Sequence, residues 1–523
     1  MVKYLDNNNS GFAAWNANRN ASTAKSARGG FLWWFIIFMA VWWALGVMFG
    51  KNQTVAPVND SVITEVDISK VPVYEVVSDK ITANVQGLRI SNIDLRDFPA
   101  NAKTTNTVKL LSGQNAFAEI GLGGIGTTAP TPDTIWKKDG DVYTWKNVDG
   151  IEFHRTISVS DYVITINDEI KNNTARDVSF APYAKIRRDN DKMSSAGVYT
   201  GFVVYANGDV EHNDWRALAK KPRAYTTTNG FAGFVDQYWE TITDIDVPDQ
   251  TMRGQKYGEI YQSDTSAHAV NVASKSSANI MTYLYAGPRD SATLKIASQK
   301  ITGIDKTVDY GWFWFLAMPM LWLINVINAI VMNYGVAIII MTILLRMLLW
   351  PLTRKSYTSM AAMQKMQPEM QRIQKLYAND KQRMQIEMMR LYQTHKTSPM
   401  SGCLPMLIQI PIFFALYKAL LISVQMRNAH FLWISDLAVM DPYFILPILM
   451  GTTMWLQQRL QSGANKSENK NDITAQTQRA MRWMPIIFTV MFAWMPAGLV
   501  LYWTVSNIFG IVQMYIIKHN MDK

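Results

Sequence analysis

The sequence is poor in the residues from which most reactive centres are built. Its 523 residues hold one cysteine, Cys403, and six histidines. A single thiol excludes an intramolecular disulfide framework and any cysteine-rich metal site, and the histidines are scattered without ligand spacing. No metal and no cofactor is therefore expected. No glycine loop of the phosphate-cradling kind occurs, so nothing points to a nucleotide-driven machine. There is no internal repeat and no line of charged residues running through several apolar segments. These two absences weigh against a solute transporter or channel with an external sensing domain, the main alternative class.

What is present is a division into two environments. Phe31 to Gly50 is apolar, flanked by Lys25, Arg28 and Lys51; at about 20 residues it has the length of a span rather than of a signal-peptide core. It is expected to be an uncleaved anchor (31–50) behind a cytoplasmic leader (1–30). Further apolar segments lie near 333–352, 404–423, 443–459, 481–496 and 498–517, giving six expected spans. The formal charge of +10 suits anionic lipid headgroups or nucleic acid. Its distribution decides, because the cations border apolar runs, and no nucleic-acid specificity is expected. Arg354, Lys355, Lys365, Arg372, Lys375, Lys381, Arg383, Arg390 and Lys396 fill one loop against only Glu369, Asp380 and Glu387. A second loop carries Arg459, Lys466, Lys470, Arg479 and Arg482. The positive-inside rule places both loops and both termini in the cytoplasm. This assignment requires that 310–330 does not cross. Pro319, Asn325, Asn328 and the cluster Trp312, Phe313, Trp314, Phe315 and Trp322 fit a helix lying in the membrane interface.

Residues 51–309 then face outward, into the periplasm if the cell has two membranes. Their pattern is β. Tyr162, Ile164 and Ile166 alternate with Val163, Thr165 and Asn167, and Ile151, Phe153, Ile157 and Val159 do likewise with Arg155 interrupting. Asn207-Gly208 and Asn229-Gly230 predict two-residue hairpin turns. An antiparallel sandwich is the simplest architecture. His154, His212 and His268 have acids such as Glu152 and Glu211 nearby, a pairing a sugar-active sandwich could use, but the spacing carries no signature. A binding or spacer domain, not an enzyme, is expected.

Between 354 and 397, Met363, Met366, Met370, Ile373 and Tyr377 recur at helical spacing. Met384, Met388 and Leu391 resume the pattern after Asn379-Asp380, which predicts a helical hairpin. Its flexible methionines suit a surface that meets varied apolar partners, and a solvated, self-packing pair explains the pattern equally well. Arg346 lies inside the second expected span, about 10 Å from its cytoplasmic end. A cation at mid-helix costs about 2.5–3.5 kcal/mol, less when it snorkels, so it needs a watery cavity, a partner or the phosphates. The expected spans offer it no buried acid. Thr342 shares its face, and Gln409, Thr504, Ser506, Asn507 and Gln513 are the polar atoms in reach. A groove open to the cytoplasm satisfies the charge; helix packing is the other use of such polar residues.

Several patches resemble the YidC/Oxa/Alb family of membrane protein insertases. They are Asp309-Tyr310-Gly311-Trp312, Trp350-Pro351-Leu352-Thr353, Tyr357-Thr358-Ser359-Met360, Gly402-Cys403-Leu404-Pro405, Gln409-Ile410-Pro411-Ile412-Phe413, Asp441-Pro442-Tyr443 and Gly498-Leu499-Val500-Leu501-Tyr502. The resemblance implies an α-helical membrane protein with six transmembrane helices, five of them forming a core over 331–523. An all-β periplasmic sandwich domain is inserted after the first helix. It implies a protein of the bacterial cell inner membrane that holds nascent membrane proteins in a cytoplasm-open groove and releases them into the lipid bilayer, alone or with the Sec translocon and its accessory subunits. By resemblance Arg346, Thr342, Gln409, Tyr502 and Trp503 line the groove, and Ile410, Phe413, Met491 and Trp494 form a hydrophobic slide between the third and fifth spans; Asn507 is added to the groove as one of the polar residues of the last span. Trp503 and Met491 depart from the family pattern. The tail Lys518 to Lys523 is short, so contact with a ribosome is expected to be weak.

Overall fold

The structure, a computed structural model, describes residues 66–101, 104–189, 198–395, 404–462 and 473–521. The expected leader and anchor lie outside the described residues.

From Val73 to Ala297 the chain forms two antiparallel sheets, one of ten strands and one of nine, with two short helices, α1 (Trp215–Lys220) and α2 (Ser291–Ala297). Their inner faces pack as a sandwich; Phe153 of one sheet meets Phe180 of the other edge to face at 5.3 Å. The expected alternation is present in Glu152–Ser160 and Val163–Lys171, where Phe153, Ile157, Ile164 and Ile166 point inward. Arg155 shares that buried face. It stands opposite Asp168 in register and donates to both carboxylate oxygens, at 2.7 and 2.8 Å. A bidentate pair lets a charge occupy an apolar stripe without breaking the strand.

The two Asn-Gly turns part company. Asn207-Gly208 closes a tight hairpin between Gly201–Ala206 and Asp209–Asp214, both residues at positive φ, 55° and 91°. Asn229-Gly230 is not a hairpin turn: Arg223–Thr227 pairs in the ten-stranded sheet, whereas Phe231–Val235 pairs in the nine-stranded one. The chain crosses between sheets here. Gly230 is needed because a Cβ would collide with the Tyr205 carbonyl.

Eight further helices follow: α3 (Trp314–Val331), α4 (Tyr334–Leu348), α5 (Trp350–Leu376), α6 (Lys381–Thr394), α7 (Leu404–Ile422), α8 (Ile445–Ser462), α9 (Ile473–Phe492) and α10 (Ala497–Met521). The loop between α7 and α8 gathers one end of the bundle. Asn333, before α4, donates to the His430 carbonyl at 3.3 Å, and the first amides of α10 reach the carbonyls of Val439 and Leu437 at 2.7 and 3.0 Å. Buried Asp441 accepts from the amides of Tyr443 and Leu446 and from the Trp433 indole, fixing the head of α8. The sandwich docks on this end. Arg427 donates to the carbonyls of Pro99 (2.7 Å) and Ala100 and lies over the Trp239 ring, and Gln237 reaches the Leu421 carbonyl at 2.9 Å.

The sandwich passes into the bundle through buried charges. Arg289 lies 3.9 Å from Glu240 and donates to the carbonyls of Tyr199 and Thr307, while the Thr307 hydroxyl donates to Glu240 at 2.9 Å. Burial pushes the Glu240 carboxyl up to about 8, against Arg289 and Thr307, which favour its charged form. Beyond this knot, Asp309 pairs with Lys418 of α7 at 2.9 Å.

Both ends of α3 are thus tied to the sandwich end of the bundle, through Asp309 before it and Asn333 after it. Ala317, Met320, Ile324 and Ile327 face the bundle, and Trp314, Phe315, Trp322 and Ile330 are exposed. The α5–α6 hairpin is at the opposite end, where α4 stops. The expected segment 333–352 is in fact divided: α4 ends at Leu348, and Trp350 and Pro351 open α5 with a bend of 64°. A proline in the first turn costs no helical hydrogen bond, so the break falls there. Among the described residues two helices, Trp314–Val331 and Ala497–His519, are long and apolar enough to cross a membrane, or three if the bent pair is one span. Leu407–Ile422 and Trp483–Phe492 are apolar but shorter, so length and apolarity alone do not yield six spans.

Asp168→Ala, which strands a buried guanidinium, is expected to destabilise the sandwich by about 3–5 kcal/mol, measured by pulse proteolysis of the purified full chain in urea. A carboxyl raised on folding, as Glu240 is, contributes stability that is complete below its unfolded pKa and is lost as pH rises through its folded value of about 8. Asp244, pushed up to about 7 by burial, acts with the same sign. The melting temperature of the sandwich should therefore fall as pH rises from about 5 to about 9, and Glu240→Gln should remove its share of that slope.

Candidate substrate-binding site

Helix α4 is apolar except for Thr342 and Arg346, and it packs its Ala337, Ile338, Met341 and Thr342 face into the bundle. Helical side chains lean toward the N-terminus of their helix. The guanidinium therefore reaches deeper into the bundle than its own backbone, and it finds α10. Arg346 Nε donates to Ser506 Oγ at 2.7 Å, and a terminal guanidinium nitrogen donates to the same oxygen. Among the described residues no carboxylate stands within ion-pair distance of it. On α10, Tyr502, Ser506 and Gln513 recur at spacings of four and seven, one face of a helix, and are at most 1% exposed. Tyr502 accepts from the Gln409 amide of α7 at 2.5 Å. Three helices thus converge on a polar cluster around an unneutralised cation.

Not every expected groove residue joins it. Thr342 is on the buried face, but its hydroxyl donates to the Ile338 carbonyl of its own helix at 2.6 Å. Asn507 is one position beyond Ser506 and so faces elsewhere: its amide reaches the Met450 carbonyl and Thr453 Oγ1 of α8, at 3.4 and 3.3 Å, and it serves helix packing. Trp503 also turns away. Its ring meets Phe413 and Phe492 at 5.2 Å each and Phe488 at 6.0 Å. It belongs with the aromatic cluster joining α7, α9 and α10, where Phe413 also touches Phe492 at 5.7 Å. Ile410 is half-buried nearby, and Met491 and Trp494 are exposed, with Trp494 beyond the end of α9. Ser506 and Gln513, offered by the sequence as polar atoms in reach of Arg346, join the cluster, whereas Phe488 and Phe492 are the residues that sequence reasoning missed. The four-residue separation of these two phenylalanines is the signal that would have found them.

In the hairpin, Met366 and Met370 are buried and Met363, Met384 and Met388 half-buried. The methionine face is turned inward, and the apolar residues left exposed are Leu376, Ile386 and Met389. Asp380 caps α6 by accepting from the Arg383 amide at 3.0 Å, and Glu369 of α5 lies 3.7 Å from His395 at the end of α6.

Residues 74–323 match the family model described as YidC periplasmic domain, and residues 326–523 match that of the 60Kd inner membrane protein. The chain is 35% identical over 422 residues to a membrane protein insertase YidC of Magnetococcus marinus, covering 77% of this chain and 74% of that one. This chain belongs to the YidC family of membrane protein insertases. A second YidC, from Methylobacillus flagellatus, is 34% identical over 473 residues, covering 85% and 83%. A crystal structure of an active YidC insertase with its first transmembrane domain resolved overlaps 85% of this chain and 94% of its own, with a TM-score of 0.35 and 15% identity. The two family models meet within α3, so the first covers the sandwich and the start of the helical part.

If Asn507 is a packing residue, Asn507→Ala should cost about 0.6 kcal/mol, the average for such bonds between membrane helices, in thermal melting of the solubilised chain, and should leave insertion of a single-span substrate intact.

Proposed function

We infer that this insertase receives a nascent span at the polar cluster around Arg346, entering from the end that carries the basic hairpin, and passes it sideways over the aromatic cluster into lipid. The observation that carries this reading is the cation itself, held in an apolar bundle by the neutral Ser506 hydroxyl. Without a counter-ion its field is unspent and attracts an acidic flank of the incoming segment. A polar cluster partway into the bilayer also shortens the path over which polar flanks are desolvated. Burial of the substrate's apolar run in lipid supplies the driving force, so no nucleotide is required. Phe413, Phe488 and Trp503, half-buried around buried Phe492, offer apolar surface on the exit side.

The same reading orients the chain. The hairpin end of the bundle, with its excess of lysine and arginine, is cytoplasmic, and the sandwich at the other end is periplasmic. Both termini are then cytoplasmic, and six spans result when the segment 31–50 is the first. Helix α3, tied at both ends to the sandwich end, lies in the outer interface with its exposed tryptophans at headgroup level. Nascent membrane proteins and the bilayer are the partners this requires. Cooperation with the Sec translocon, through the sandwich or the bundle, is part of the same proposal.

The test is insertion of a short single-span substrate with an acidic flank into liposomes holding this protein, parent beside Arg346→Ala and Arg346→Lys. The expected result is nucleotide-independent insertion that falls at least tenfold in Arg346→Ala, corresponding to about 1.4 kcal/mol of barrier. Retention in Arg346→Lys would show that charge suffices, and loss in both that the guanidinium is needed. Equal insertion by all three proteins would overturn the role given to Arg346.

A further inference from the structure

The bend between α4 and α5 leaves a polar group in need of a partner. In an unbroken helix the Arg346 carbonyl would accept from the amide four residues on, at Trp350, but the chain turns by 64° between these residues. The donor that approaches this carbonyl is a side chain of another helix. Gln513 Nε2 of α10 lies 3.4 Å from it. Gln513 is 0% exposed, and among the described residues its Oε1 has no hydrogen-bond partner. A buried amide with one long bond and an orphaned acceptor is a poor packing residue, since an apolar side chain of the same volume would avoid the desolvation cost. Its presence is explained by the group it meets.

We propose that Gln513 is a positioning residue for insertion: it holds the free end of α4 at the bend and so fixes both the Arg346 side chain and the direction in which the basic hairpin leaves the bundle. The geometry around it supports this coupling. The root of the hairpin packs against the same stretch of α10, with Trp350 meeting Phe509 at 6.4 Å, and Ser356 and Tyr357 buried. Gly510 leaves room there for the Gln457 amide, from which a Cβ would stand 2.9 Å, and that amide donates to the Tyr357 hydroxyl at 3.4 Å. Within two turns α10 therefore contacts the guanidinium through Ser506, the Arg346 carbonyl through Gln513 and the hairpin root through Phe509. A shift of the bend moves all three together. The proposal rests on the role given above to Arg346.

The test is a double-mutant cycle in the full chain, using Gln513→Met, which keeps side-chain volume, alone and combined with Arg346→Ala. Liposome insertion of the acidic-flanked substrate and thermal melting are measured for all four proteins. Gln513→Met is expected to lower insertion about fivefold, the size of a coupled neighbour effect, without lowering the melting temperature, and to have no further effect once Arg346 is alanine. Parental activity in Gln513→Met overturns the proposal. So do losses that multiply in the double mutant, or a fall in melting temperature that accompanies the lost activity, both of which mark a merely structural residue. If Arg346→Ala alone inserts like the parent, the reading of Arg346 fails and this proposal fails with it, an outcome distinct from the others.

Discussion

Everything in the bundle is arranged around the need to keep one guanidinium inside an apolar helix. A cation in hydrocarbon must find hydrogen-bond acceptors, and the Arg346 guanidinium finds its acceptor on another helix rather than on its own. α10 meets the need with Ser506 and lends Tyr502 and Gln513 to the same face, which in turn requires α7 to bring Gln409 within reach. The choice of a hydroxyl over a carboxylate matters. An ion pair would bury the charge and silence it, whereas a neutral partner satisfies geometry and leaves the field available.

The two ends of the bundle are built to different rules. At the sandwich end, carboxylates do structural work: buried Asp441 ties together the head of α8, exposed Asp309 meets Lys418, and buried Glu240 faces Arg289. Backbone carbonyls of the sandwich accept from Arg427, so the domain is docked on the loop between α7 and α8 rather than merely tethered to it. At the hairpin end the cations are mostly exposed and the ion pairs few and loose, such as Arg390 with Glu387, so that end is held by the burial of its methionines. Exposed pairs of this kind contribute little to stability. The buried charged contacts are thus concentrated at the sandwich end.

Much of this was legible in the sequence. Apolar runs fell on helices, although α9 begins at Ile473, ahead of the run from 481, and the run 333–352 is divided by the bend at Trp350; period-two alternation marked strands, and one arginine in an apolar run marked the candidate site. Local pattern failed where the deciding partner was distant. Arg155 reads as an interruption until Asp168 stands opposite it, and Asn229-Gly230 carries the same dipeptide signal as Asn207-Gly208 yet joins strands of different sheets.

By itself the sequence determined which segments are apolar enough to leave water, where positive charge accumulates and which single cation is out of place, because hydropathy and charge are properties of each residue wherever it folds. Tertiary structure alone decided what that cation touches. One residue of helix is about 100° of rotation, enough to send Ser506 to Arg346 and Asn507 to α8, and no feature of either side chain specifies that angle. The packing of α4, α8 and α10 specifies it.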